Sequence, residues 1–296
     1  MIEFCPIASG SSGNCIYLST PGAKILIDAG LSGIRIERAL GSLGVDPYDL
    51  DAVFLTHEHG DHISGAGVMA RRFGLKIFAT AGTWGYIDTT GVLGRLGTEH
   101  KHLVYPEEDM IFHDIIVRPF NISHDAADPV GYSFFYGPNE NLNEDLNADL
   151  TQDSCQESNE TAYKAGSKAT IVTDIGHICS NLYEKIADSD ILLIESNHDI
   201  DMLKKGPYPF HLKKRILGEK GHLSNVSCGQ TLTALAHRLK HIYLGHLSAE
   251  NNDPLLAFET VRDILESASI PVNSPCGAGL NLYLADRHVC SKFLRV

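Results

Sequence analysis

The stretch THEHGDH, residues 56–62, decides both the fold and the chemistry of this chain. It follows the apolar run AVFL at 52–55, which predicts a short buried strand. His57 and His59 point to the same side of an extended backbone. Gly60 permits a tight turn, which brings Asp61 and His62 back toward them. Such a set of imidazole and carboxylate ligands suits Zn, Mn or Fe. The stretch predicts a metal site, against the alternative of chance clustering in a His-rich loop.

Length, composition and charge narrow the class of protein. The chain has 296 residues, of which 43% are hydrophobic, enough for one large α/β domain. We expect a cytoplasmic protein that does not enter a membrane, since neither a signal peptide nor a membrane-spanning run is evident. The formal net charge of −13 argues against general coating of nucleic acid but permits a local cationic groove. The 7 cysteines contain no Cys-x-x-Cys pair, so neither a disulfide framework nor a thiolate zinc cluster is expected.

Apolar runs along the chain predict a sheet-rich architecture. Besides 52–55, we predict strands at 2–7, 15–18, 24–27, 76–79, 115–120, 132–136, 169–173, 191–194, 241–244 and 280–285. Of these, 280–285 is predicted to be the last strand of the chain. Helices are predicted at 32–43, 61–73, within 82–96, and at 179–187, 226–239 and 253–266. Residues 138–168 are polar and carry seven acidic side chains, which predicts a flexible insertion within a single domain of residues 1–296.

Further candidate ligands directly follow these predicted strands. His124 comes after 115–120, Asp174 after 169–173, and His246 after 241–244. Loops at one end of a rigid sheet are where ligands from distant parts of a chain converge. We therefore predict two divalent ions, Zn or Mn, with Asp174 as the bridging ligand. The remaining ligands are His57, His59 and His124 for one ion, and Asp61, His62 and His246 for the other.

Two features of the N-terminal region have two interpretations each. The loop SGSSGN at residues 9–14 is either an anion-binding nest or a plain hairpin connection. Asp28, at the end of a predicted strand, is either a partner for the N–H of a ligand imidazole or a turn-forming residue.

Several stretches together resemble a known family. They are residues 8–15, 56–62, 173–176, 195–199, 221–225, 244–248 and the pair Asn251 and Asn252. With them the chain resembles the metallo-β-lactamase-fold hydrolases over essentially its whole length except 138–168, and within these the YycJ/WalJ (VicX) subfamily of nucleases. The resemblance implies an αββα four-layer sandwich of the α/β class, with the metals at one edge. It also implies DNA exonuclease activity, with a part in DNA repair and cell-wall-linked signalling.

The superfamily also contains thiolester hydrolases, β-lactamases and oxidoreductases, so the fold alone does not fix the reaction. Three features favour phosphodiester cleavage. His59 replaces the carboxylate of the oxidoreductase branch, and no Cys stands at the second-metal positions. His222 and His246, each followed by Leu-Ser, are similar to the C-terminal motifs of the tRNA 3′-processing nucleases.

The same resemblance implies catalytic roles. His222, oriented by Glu195, would protonate the leaving oxygen; the alternative is a structural histidine that bonds a helix N-terminus. Asp61 is a candidate base for the attacking water, as well as or instead of a metal ligand.

The segment between Glu195 and His222 is rich in cations. We interpret Lys213, Lys214, Arg215 and Lys220, with Lys204 and Lys205 nearby, as contacts to the DNA backbone, against the alternative of solvated helix faces. RNA is the second candidate substrate. Two rival functions remain open: hydrolysis of a small molecule such as a cyclic nucleotide or thiolester, and a non-catalytic regulatory role.

Overall fold

Two mixed β-sheets form the centre of the protein in the computed structural model, which describes residues 1–137 and 166–296. The strands are β1 Glu3–Ala8, β2 Cys15–Ser19, β3 Lys24–Ile27, β4 Ala52–Phe54, β5 Lys76–Ala79, β6 Lys101–Leu103, β7 Met110–Phe112, β8 Ile115–Asn121, β9 Val130–Tyr136, β10 Ser167–Val172, β11 Ile191–Glu195, β12 His241–Gly245, β13 Asn281–Leu284 and β14 Leu294–Arg295. The helices are α1 Gly33–Ser42, α2 Gly60–Ile63, α3 Ala66–Phe73, α4 Ala81–Thr90, α5 Ser180–Ile186, α6 Ile200–Lys205, α7 Phe210–Ile216, α8 Asn225–Leu235 and α9 Pro254–Ser267.

The two sheets have related topologies. The first has the order β14-β1-β2-β3-β4-β5-β6 and the second the order β13-β12-β11-β10-β9-β8-β7. In the first sheet the pairs from β14 to β3 are antiparallel and those from β3 to β6 are parallel. In the second, β7 to β10 are antiparallel and β10 to β13 are parallel. The parallel strands of each sheet therefore deliver their carboxyl ends to one edge.

Alternation of side chains along the strands builds the layers. In β4, Ala52 and Phe54 enter the core between the sheets, whereas Val53 faces the core under the helices. Phe54 stacks on Phe78 with ring centroids 4.7 Å apart and meets three further aromatic rings edge-on. Residues of α1, α3 and α4 cover the outer face of the first sheet, and residues of α5, α8 and α9 cover that of the second. The predicted αββα four-layer sandwich is confirmed.

The predicted helix at 61–73 is wrong in one respect, because it is two helices, α2 and α3. The backbone carbonyl of Asp61 accepts the N–H of Asn14 at 2.7 Å. The N–H of Gly65, which would bond that carbonyl in a continuous helix, instead donates to Ala29 at 2.7 Å. Contacts with the loops around residues 14 and 29 therefore interrupt the helix directly behind the central motif.

Other boundaries also need correction. Strand 280–285 is not the last, since β14 follows it and pairs with β1 at Glu3 and Phe4. The segments β6, β7, α6 and α7 were not predicted. Ser167 and Lys168 belong to β10, so the predicted insertion ends too late; its residues 138–165 lie outside the described residues. In the two described parts of the chain, no helix is both long enough and apolar enough to span a membrane.

Candidate metal centre

The side chains of the centre are supplied by loops that follow strand ends. His57 follows β4, His124 follows β8, Asp174 follows β10 and His246 follows β12. Asp174 and His246 have φ angles of 57° and 52°, in the left-handed region that costs an L-residue about 1–2 kcal/mol. The fold maintains this strained conformation at the ends of β10 and β12, the strands on either side of β11, which turns both side chains into the shared edge.

Three imidazoles form one half of the centre. His57 Nε2 lies 3.1 Å from His59 Nδ1, and His124 Nε2 lies 3.3 Å from the same atom. All three ligand atoms lie within 4.8 Å of one another. His57 and His124 are buried and His59 is partly exposed. The structure therefore brings together the three histidines that the sequence assigns to one ion.

The second half combines carboxylates and imidazoles. Asp61 Oδ2 lies 3.4 Å from His246 Nε2 and 3.6 Å from His62 Nε2. Asp174 lies between the two halves, with Oδ2 3.1 Å from His62 Nε2 and Oδ1 3.6 Å from both His124 Nε2 and His246 Nε2. All seven predicted metal ligands thus converge, and the position of Asp174 suits a bridging ligand.

The second nitrogen of four of the imidazoles is fixed by a neighbour. His57 Nδ1 lies 3.0 Å from Thr56 Oγ1, and His62 Nδ1 lies 2.7 Å from Asp28 Oδ2. His124 Nδ1 lies 3.3 Å from the carbonyl oxygen of Gly221, and His246 Nδ1 lies 2.7 Å from Glu195 Oε1. A proton held on Nδ1 leaves Nε2 as a lone-pair donor, which is the arrangement of metal-binding histidines. The Nε2 atoms of all four rings face the shared space.

A buried carboxylate oxygen of Asp174 also indicates that these residues suit a metal ion. Asp174 Oδ2 is buried and has no hydrogen-bond partner among the described residues, since its 3.1 Å approach to His62 Nε2 lacks hydrogen-bond geometry. Such an oxygen is costly unless it is paired or coordinates a metal. Imidazole nitrogens and carboxylate oxygens are the donors that borderline divalent ions prefer. The residues present therefore fit divalent metal ions.

Electrostatics keep the carboxylates of the centre ionised. Burial opposes ionisation of Asp174, but the His246 and His62 imidazoles outweigh it and hold the pKa of this carboxyl well below its ordinary value. Burial is likewise outweighed at Glu195, where the neighbouring His222 and hydrogen bonds lower the pKa to about 2. Both carboxylates are consequently ionised and can act as partners for cations.

Glu195 and His222 adjoin the ligands. His222 Nδ1 lies 2.9 Å from Glu195 Oε1, the oxygen that also meets His246. Glu195 Oε2 accepts the backbone N–H groups of Ile175 at 3.0 Å and Leu223 at 2.9 Å, so the carboxylate is rigidly oriented. Ser224, not His222, caps the following helix α8. The geometry agrees with an oriented His222 and not with the helix-capping alternative.

Two residues that the sequence did not single out also contact the ligands. Asn14 Nδ2 lies 3.0 Å from His62 Nε2 and 3.5 Å from Asp61 Oδ2. Thr56 Oγ1 donates to the Asp28 carboxylate at 2.9 Å and also faces the Nδ1 atom of His57. The only sequence signal was their position inside the quoted stretches 8–15 and 56–62, because a lone Asn or Thr has no distinctive spacing.

The structure bears on both features of the N-terminal region that have two interpretations. Asp28 is the partner of His62 Nδ1, so the imidazole-partner interpretation is confirmed. The loop at 9–14 connects the antiparallel strands β1 and β2. Its Gly10 N–H bonds Asn14 Oδ1, and its Gly13 N–H bonds the Gly10 carbonyl. This connection agrees with the hairpin interpretation, and these two N–H groups are already used within the loop.

The four predicted DNA contacts lie on or near α7 and differ in their surroundings. Lys213 Nζ donates to the carbonyls of Lys204 and Gly206, both at 2.8 Å, so it closes the end of α6. Arg215 forms an ion pair with Asp125. Lys214 and Lys220 are exposed, and neither has a side-chain partner within the described ranges. Their contact with DNA stays a prediction.

Comparison with known proteins gives a consistent result. The profile of the metallo-beta-lactamase superfamily matches residues 8–140. The chain is 37% identical to the exodeoxyribonuclease WalJ of Streptococcus pneumoniae over 271 residues, 91% of this chain and 90% of that protein. It is 34% identical to the exodeoxyribonuclease YycJ of Bacillus anthracis over 272 residues, 92% of each chain. The metallo-beta-lactamase fold protein YhfI from Bacillus subtilis has a similar structure, with a TM-score of 0.67 over 100% of both chains at 12% identity.

Proposed function

This chain belongs to the metallo-beta-lactamase superfamily, in the family of the exodeoxyribonucleases WalJ and YycJ, and we propose that this metal-dependent hydrolase is a DNA exonuclease. The two relatives carry that activity in their names and align with more than nine-tenths of the chain. The proposal includes two divalent ions, Zn or Mn, in the centre.

One observation carries the proposal for the centre. Four imidazoles hold their Nδ1 atoms against neighbouring oxygens, and their Nε2 atoms face an ionised, buried carboxylate, that of Asp174. When bound there, divalent ions supply Lewis acidity that activates a water and stabilises negative charge on a phosphate. The protein contributes ligands whose orientation is fixed before substrate arrives, which lowers the reorganisation cost of the reaction.

Asp61 has two compatible roles in this scheme. Its Oδ2 lies beside His246 and His62, as a metal ligand requires. Its carboxyl is about one-quarter exposed, unlike the 3% exposure of Asp174. An ionised carboxylate with an accessible oxygen orients a nucleophilic water and accepts its proton. We therefore assign Asp61 to the attacking side of the phosphate.

His222 is assigned to the leaving side. Its Nδ1 is held by Glu195, which leaves Nε2 available to a substrate, and the side chain is 19% exposed. Burial lowers its pKa, but the Glu195 carboxylate and the hydrogen bond to it outweigh burial and raise the pKa above its ordinary value. A protonated His222 donates to the departing sugar oxygen, which otherwise leaves as an alkoxide.

A panel of substrates tests the function. Purified protein with added Mn or Zn is assayed on end-labelled duplex DNA, single-stranded DNA, RNA and a generic phosphodiester. We expect stepwise loss of nucleotides from DNA ends, abolished by chelation and by Asp61→Ala or His62→Ala. His113→Ala, an exposed histidine on another edge, serves as the control and keeps wild-type activity.

The rival functions predict other outcomes. Faster cleavage of RNA would reassign the substrate, and hydrolysis restricted to a cyclic nucleotide or a thiolester would establish a small-molecule hydrolase. Absence of any hydrolysis in metal-loaded protein would leave the regulatory role. A cytoplasmic location belongs to the same proposal, supported by the free thiols of all six described cysteines. A part in DNA repair stays a prediction.

A further inference from the structure

A cleft on the helix side of the first sheet lies outside the metal centre. Its volume is about 310 Å³, and α1 together with the segment before β14 forms its walls. The side chains that matter here are Leu31, Arg35, Arg38, Ser42, His288 and Cys290. No role assigned above uses any of them.

The cations of this cleft are unneutralised. Arg35 and Arg38 are exposed, and neither has an acidic partner among the described residues. Of the acids near the two walls, Glu37 pairs with Arg72 at 2.6 Å. Asp286 keeps its charge and accepts the backbone N–H of His288 at 2.7 Å, but it forms no ion pair with Arg35 or Arg38 among the described residues. Such free guanidinium groups on a protein with a net charge of −13 mark a local positive site.

Helical spacing places the cations in one row. Arg35 and Arg38 are three residues apart in α1 and therefore share a face. Leu31, just before α1, and Ser42, one turn after Arg38, both line the same cleft. Seven residues separate Leu31 from Arg38, so at about 1.5 Å per helical residue the row is at least roughly 10 Å long, because the backbone at Ser32 is extended. One strand of DNA carries a phosphate about every 3.4 Å of helix axis, so the row spans roughly three nucleotides.

One end of this row adjoins the metal centre. A Cβ on Gly13 would meet Leu31 Cδ2 at 2.6 Å, so the loop at 9–14 packs directly against Leu31. The next residue in that loop, Asn14, donates its N–H to the Asp61 carbonyl at 2.7 Å. The other wall is also tied to a ligand loop, because Arg287 donates to the Leu247 carbonyl at 3.1 Å, directly after His246.

We propose that this cleft binds backbone phosphates of the DNA strand whose end lies in the metal centre, with Arg35 and Arg38 as the contacts. The inference rests on the proposed function, since it assigns the path of that substrate. Guanidinium groups match phosphate geometry and bind it through paired N–H donors. The cleft holds the strand a few nucleotides from the reacting bond and contributes no sequence preference.

Cys290 provides a direct probe of the cleft. Its thiol lines the cleft and is partly exposed, so an alkylating agent can reach it and a bound DNA strand would cover it. Cys179 and Cys276 are exposed at other places on the surface and serve as internal references.

The first test is protection from alkylation. Wild-type protein in EDTA is treated with iodoacetamide, with and without a short single-stranded oligonucleotide, and each cysteine peptide is quantified by mass spectrometry. We expect bound DNA to slow alkylation of Cys290 by about 10-fold and to leave Cys179 and Cys276 unchanged. Equal rates with and without bound DNA would overturn the inference. Protection without any DNA cleavage by metal-loaded protein would support the cleft and overturn the proposed nuclease function.

The second test uses Arg35→Gln with Arg38→Gln, compared with the matched control Lys76→Gln with Arg262→Gln. The control also removes two positive charges, one at the opposite end of the first sheet and one on α9. We expect the Arg35 and Arg38 variant to raise the KM for DNA about 10-fold and to flatten the slope of log KM against log salt by about 1.4. Hydrolysis of a dinucleotide, too short to reach the cleft, stays unchanged. DNA cleavage with an unaltered KM and salt slope would refute the inference while the nuclease function stands.

Discussion

Replacing Gly30 by Ala is expected to disable the metal centre without substituting any candidate ligand. A Cβ at this position would lie 1.6 Å from the backbone oxygen of Asp61 and 2.8 Å from the backbone nitrogen of Asn14. Restoring even a 3.0 Å contact requires the Asp61 backbone to move by roughly 1.4 Å. A displacement of about 1 Å at a reacting group costs on the order of 100-fold in rate. Overpacking of this kind also costs about 3 kcal/mol of unfolding free energy.

The matched control is Gly41→Ala, at an exposed position in the last turn of α1, where a new Cβ meets no atom within 4 Å. There we expect a gain of roughly 0.5–1 kcal/mol and unchanged activity. Urea unfolding in EDTA measures stability, and bound metal and DNA cleavage measure the centre. If Gly30→Ala retained wild-type stability, metal content and activity, the close packing of the 9–14 loop against residues 56–62 would be refuted.

Three further variants test separate parts of the structure. Glu195→Gln should lower kcat about 10- to 100-fold with little change in KM, because Glu195 is the hydrogen-bond acceptor shared by His222 and His246. An unchanged kcat in steady-state assays would contradict this role. Phe54→Ala should lower the unfolding free energy, measured with urea, by about 3–5 kcal/mol, because this ring contacts four other aromatic rings in the core. The control Phe210→Ala should lower it by less than about 0.5 kcal/mol, because Phe210 is 82% exposed. Burial lowers the pKa of Lys168 to about 8 from an ordinary 10.5, so the unfolded chain binds more protons between these values. The contribution of Lys168 to the unfolding free energy should therefore rise with pH between about 8 and 10.5, by up to about 3 kcal/mol. The difference in unfolding free energy between wild type and Lys168→Met, from urea titrations at several pH values, measures this contribution, and a difference that does not change with pH would contradict it.

The convergence of the candidate ligands could be predicted from the sequence because each of them follows an apolar run. A run such as 241–244 specifies a buried strand, and the carboxyl ends of parallel strands share an edge, so His246 and Asp174 had to lie near each other. The four-layer arrangement followed from the family resemblance and agrees with this pattern. Long-range convergence was thus encoded in local periodicity.

The errors fall where local pattern carries little information. Strands β6 and β7 have three residues each and β14 has two, too few to show alternation. Helices α6 and α7 have six and seven residues, about two turns, which gives no clear amphipathic repeat. The break between α2 and α3 depends on bonds from Asn14 and to Ala29, which are distant in sequence. Asn14 and Thr56 were missed for the same reason, since their roles arise from tertiary contacts alone.

The central claim is that seven side chains from distant parts of the chain hold two divalent ions. Inductively coupled plasma mass spectrometry on protein purified without chelators measures this directly. We predict two equivalents of Zn or Mn per wild-type chain and loss of at least one in His57→Ala with His59→Ala, together with loss of hydrolysis. Wild-type protein without transition metal, combined with full hydrolytic activity in the double variant, would contradict the account.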